Sequence, residues 1–77
     1  MDIDVVLFEN LGKNGDLESL EINYCIGKRE ATLYLDKDEV DGLYRLQQCD
    51  KIDELEDVQV KDTIYEEVLH YVENMKG

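Results

Sequence analysis

The densest run of potential metal ligands is Asp36, Asp38 and Asp41, followed by Gly42, carboxylates at the short spacing that a hard cation such as calcium requires. An EF-hand loop started at Asp36 fails in register. It places Val40 where an oxygen ligand is needed, Asp41 where the turn needs glycine, and Gln47 where a bidentate glutamate belongs. The run reads instead as the start of a helix. His70 is the only histidine, and it stands between Leu69 and Tyr71 with no glycine-flanked serine or reactive-cysteine signature elsewhere to complete a triad. It reads as a surface residue near a helix C-terminus, where the dipole favours a cation. Cys25 and Cys49, 24 residues apart, cannot with one histidine supply the four ligands of a structural zinc site. Both read as reduced thiols. The glycines are too scattered for a phosphate-binding loop. Carboxylate pairs abound, but acid/base work needs one acid desolvated beside another kept ionised, and a sequence cannot display that difference. No catalytic, metal-binding or cofactor-binding residue is expected, and the chain does not read as an enzyme.

The unusual feature is the amount and placement of acid. The chain has 77 residues, with 20 Asp and Glu against 8 Lys and Arg, and a net charge of −12. Between Asp36 and Glu67 there are 12 acids and four bases, so net −8, two thirds of the excess, falls within 32 residues. Such a field repels phosphate backbones and anionic leaflets, which excludes direct contact with nucleic acid or membrane and favours a basic protein surface as partner. Duplex DNA carries one charge per roughly 1.7 Å of axis. Carboxylates spaced along helix and loop can therefore occupy a groove built for phosphates. The residues expected to make such a contact are Asp38, Glu39, Asp41, Asp53, Glu54, Glu56, Asp57, Glu66 and Glu67. The simpler alternative is that acidity keeps a small domain dissolved and nothing more.

The elements that must position these acids follow from periodicity. Residues 2 to 9 alternate, with Ile3, Val5 and Leu7 set against Asp2, Asp4 and Val6, and read as a strand. Asn14 and Gly15 suit a tight turn. Leu20, Ile22, Tyr24 and Ile26 give the cleanest alternation, and after Gly27, Lys28 and Arg29 the residues Ala31, Leu33 and Leu35 line one face of a third strand. Connections this short predict an antiparallel meander over 2–35. At Asp36 the period becomes helical, with Glu39 three residues on to complete a capping box. Val40, Leu43, Tyr44 and Gln47, with Leu46 and Cys49 adjoining, give a helix over about 37–49 an apolar face, which Gly42 weakens. Thr63 to Glu66 offers a second capping box, and Ile64, Val68, Tyr71, Val72 and Met75 follow at helical spacing, predicting a helix over 63–76. Between 50 and 61 two readings stand. Ile52 and Leu55 extend a helix, whereas Val58 and Val60 alternate like a short fourth strand over 57–61.

The expectation is one α+β domain, three strands followed by two helices on one face of the sheet. The predicted core is Val5, Leu7, Leu20, Ile22, Ile26, Leu33, Leu35, Val40, Leu43, Leu46, Ile64, Val68 and Val72. No basic leader or membrane-length apolar run is present, so a cytoplasmic domain is expected. Five tyrosines, Tyr24, Tyr34, Tyr44, Tyr65 and Tyr71, exceed what a two-layer core of this size needs. Some should be exposed, on the outer face of the second strand or the edge of the third, as a surface for a partner or a homodimer. Small size, strong acidity and a compact α+β pattern are together similar in kind to the anti-restriction and anti-CRISPR proteins of bacterial viruses, several of which occupy a nucleic-acid groove. That resemblance of type implies a non-enzymatic inhibitor that occupies the basic groove of a nucleic-acid-handling enzyme, and it carries no motif and no site residue.

Overall fold

The computed structural model describes residues 2–45 and 47–76, with side chains as far as Asn74. The chain runs β1 (Ile3–Leu11), β2 (Leu17–Ile26), β3 (Arg29–Asp36), α1 (Lys37–Tyr44), α2 (Asp50–Asp53) and α3 (Val58–Lys76). The strands form an antiparallel sheet in the order β1-β2-β3. Gly15 turns the first hairpin at φ 82° and Gly27 the second at φ 59°, the left-handed conformation that glycine adopts without a Cβ penalty. The first hairpin is longer than alternation alone predicts. β1 continues to Leu11 through a register shift at Asn10, and Gly12 N–H closes the loop on the Asp16 carbonyl at 2.8 Å.

The sheet lies under the helices on one face only. Leu20 stands opposite Leu35, and Ile22 opposite Leu33 and Leu7, so alternate residues of all three strands point into one core. That core contains Leu20, Ile22, Leu35, Val40, Leu43, Cys49, Ile52, Val60, Ile64, Val68 and Val72, all buried. Val5, Leu7, Ile26 and Leu33, also expected inside, are partly buried and packed against its margin. Leu46 and the Met75 side chain lie outside the described residues.

The first helix begins as its sequence dictates. Asp36 Oδ1 accepts from Glu39 N–H at 2.9 Å, and Glu39 Oε1 accepts from Asp36 N–H at 3.0 Å, a complete capping box. It ends at Tyr44, however, not at 49. The Gly42 carbonyl accepts from both Arg45 N–H (3.1 Å) and Gln47 N–H (2.9 Å), which closes the helix, and Cys49 then stands in extended backbone. The single turn of α2 follows and buries Ile52.

No fourth strand forms over 57–61: Val58 and Val60 belong to α3. Asp57 Oδ1 accepts from Gln59 N–H (2.9 Å) and Val60 N–H (3.2 Å), so the helix is capped six residues before Thr63. Thr63 is no cap, because its hydroxyl donates to the Gln59 carbonyl one turn earlier. The physical reason is the row Val60, Ile64, Val68 and Val72, buried at every fourth position, which rewards a helix with a full turn more of core than a strand over 57–61 would gain.

Candidate functional site

The nine acids singled out by charge density separate into two kinds. Three are parts of the scaffold. Glu39 caps α1, and its other carboxylate contacts are an ion pair with Lys51 (2.8 Å) and the thiol of Cys49 (3.8 Å). Asp53 accepts a 2.6 Å hydrogen bond from the Tyr65 hydroxyl, and that hydroxyl itself accepts from Cys49 N–H at 3.1 Å. Asp57 caps α3. These three pin the segment between α1 and α3 to the rest of the domain.

The other six stand at the surface. Asp38, Asp41, Glu54, Glu56, Glu66 and Glu67 are exposed, and among the described residues only Asp41 of these six forms an ion pair, with Arg45 at 3.6 Å, an exposed pair of small energetic weight. Helical spacing adds two acids that were not singled out. Asp62, Glu66 and Glu73 lie on the exposed stripe of α3 with His70 between the last two, and an i, i+4, i+7 search of the helix would have found them. No charged or polar residue is buried among the described residues, so the acidity is a surface property throughout. Among the described residues no group of three or more His, Cys, Asp or Glu side chains is placed to hold a metal ion, and no helix is long and apolar enough to cross a membrane. Cys25 and Cys49 are free thiols, and burial pushes the Cys49 thiol above its ordinary pKa.

The opposite face of the sheet is a second candidate. The register places Phe8, Glu21 and Tyr34 in one row across the strands, Val6, Asn23 and Thr32 in the next, and Asp4, Cys25 and Glu30 in a third. Val6, Phe8 and Tyr34 are each about half exposed, at 50%, 49% and 53%, which is where a large apolar side chain sits when nothing covers it. The polar groups between them are tied together. Thr32 Oγ1 donates to Asn23 Oδ1 (2.7 Å), Asn23 Nδ2 donates to Glu21 Oε2 (2.9 Å), and a hydrogen bond to the Glu21 carboxylate raises the Tyr34 pKa.

The tyrosines divide accordingly. Tyr34 and Tyr44 are exposed, as their number suggested some would be. Tyr65 and Tyr71 are half-buried, and burial with a carboxylate acceptor, Asp53 for one and Glu9 at 2.8 Å for the other, pushes both phenols up to about 12. Their folded pKa values exceed the ordinary 10, so this stabilisation is complete below pH 10 and is lost as pH rises through about 12. Urea titrations between pH 9 and 12 are expected to show stability falling over that window. Tyr65→Phe combined with Tyr71→Phe should flatten the fall, whereas an identical pH profile in the double variant would contradict these two assignments.

No protein-family model, curated protein or solved structure matches the chain.

Proposed function

We propose that this is a non-enzymatic binding protein whose exposed acids engage a basic protein groove and compete there with the phosphates of a nucleic acid, inhibiting the enzyme that owns the groove. The observation that carries the reading is that Asp38, Glu54, Glu56, Glu66 and Glu67 present exposed carboxylates from two helices and the loop between α2 and α3, outside both ion pairs of the described residues. Uncompensated charge of one sign steers a molecule towards the opposite charge, and a groove shaped for phosphate is the basic surface that carboxylates at this density can enter. The test is affinity capture from the native host followed by mass spectrometry. The reading expects an enzyme with a basic groove whose nucleic acid displaces this protein. A partner without such a groove would overturn it.

A second reading is favoured by the half-exposed Val6, Phe8 and Tyr34. In it the protein is a small interaction subunit that meets a partner, or a second copy, through this tyrosine-bearing apolar surface, and acidity serves only solubility. Capture distinguishes the two, because here the complex survives high salt.

A further inference from the structure

The helices leave one face of the sheet open, and that face carries apolar and acidic side chains together. Val6 and Phe8 on β1 and Tyr34 on β3 flank a middle strand that presents Glu21, Asn23 and Cys25, and the charged positions of the three rows, Asp4, Glu21 and Glu30, are all acidic; none of the three rows contains a lysine or arginine. We propose that this face, through Val6, Phe8 and Tyr34 and the carboxylates beside them, is a docking surface for a cationic amphipathic helix of a protein partner. The inference rests on the second reading above for the existence of an apolar contact on this face, and it adds the occupant, with Asp4, Glu21 and Glu30 taking part in the contact rather than serving solubility alone.

Charge complementarity selects the partner. A stripe of apolar side chains flanked by lysine or arginine would cover Phe8 and Val6 while bringing cations to the three carboxylates. A second copy would bring the same three carboxylates against one another, between chains that each carry −12. Nucleic acid meets the same repulsion. The geometry selects a helix over a strand. An added strand pairs with backbone groups at a sheet edge, β1 or β3, and would leave this face uncovered. The open face offers side chains instead. Three strands at about 4.8 Å spacing make a platform roughly 14 Å wide, and a helix with its side chains is about 10–12 Å across. The bonded series Thr32, Asn23 and Glu21 holds the polar part of the platform in place before anything binds, which lowers the ordering cost of association.

The experiment titrates the isotope-labelled full chain, by NMR, with a synthetic peptide of leucine and lysine patterned at helical period, and in parallel with a scrambled peptide of the same composition. The patterned peptide is expected to shift the amides of 4–8, 21–25 and 30–34 together, and to bind at least about tenfold more tightly than the scrambled one. Val6→Thr with Phe8→Ser should weaken that binding about tenfold or more with the circular dichroism spectrum unchanged. Should that variant fold poorly, Glu30→Lys, which removes no apolar atom, should still weaken it severalfold. The proposal is overturned if the two peptides bind alike, if the shifts fall on α1 and α3, or if Glu30→Lys binds as the parent does. It is also overturned if the sheet amides move on concentrating the protein without peptide, the result a second copy would give. Shifts on α1 and α3 would remove this occupant alone, whereas capture of no salt-resistant partner would remove the reading on which it rests.

Discussion

Leu35→Ala is expected to lower the unfolding free energy by about 2–4 kcal/mol, a large part of what a domain of this size has. Leu35 is fully buried at the end of β3, opposite Leu20 and one residue before the Asp36 cap, so its loss opens a cavity where the sheet hands over to α1. Cavity walls formed by three strands and the helices relax little, and the unrelaxed volume adds to the lost transfer energy. Phe8→Ala removes more carbon, yet from a half-exposed position on the open face, and should cost less than about 1 kcal/mol. Urea unfolding of the two variants measures the contrast. A larger loss for Phe8→Ala than for Leu35→Ala would mean that the helices cover the wrong face of the sheet.

The second large effect concerns binding. Reversal of Glu54, Glu56, Glu66 and Glu67 to lysine changes the net charge from −12 to −4, and affinity for a basic groove is expected to fall by about a hundredfold or more. These four are exposed and make none of the hydrogen bonds or ion pairs that fix the fold among the described residues, so the circular dichroism spectrum should not change. Asp53 and Asp57 do not suit the same test. Reversing Asp57 removes the α3 cap at a cost of about 1 kcal/mol, and reversing Asp53 strands the Tyr65 hydroxyl, so weaker binding could follow from weaker folding. Full affinity in the four-residue variant, measured by calorimetry with the captured partner, would reject these acids as the contact.

The parts of the fold that were legible in the sequence are those whose signal is local. Alternation in Leu20, Ile22, Tyr24 and Ile26 and the Asp36/Glu39 capping box each depend on residues within one turn or strand, and both appear where the periodicity put them. The stretch from Asp50 to Lys61 was ambiguous because its conformation is decided at a distance. Val58-Gln59-Val60 alternates like a strand, and only the alignment of Val60 with Ile64, Val68 and Val72 beneath the sheet makes it helix. The same stretch hides the distinction among the acids. Asp53 and Glu54 are neighbours of the same charge, yet Asp53 is bound to a tyrosine 12 residues away while Glu54 faces solvent. Charge density ranks them together, because what separates them is tertiary contact. The outer face of the sheet was anticipated through Tyr34 alone. Val6 and Phe8 are alternate residues of β1, but that they share a face with Tyr34 and with Asp4, Glu21 and Glu30 becomes evident only once register lays three strands side by side.

The most direct test of the account is the dissociation constant between the unmodified protein and its captured partner, measured from about 50 mM to 500 mM salt. Competition for a phosphate groove predicts that log Kd climbs steeply and linearly with log salt, since several ion pairs form and bound counterions leave. A dissociation constant that hardly moves over that range would contradict the acidic face as the contact and leave the apolar face of the sheet to explain the complex.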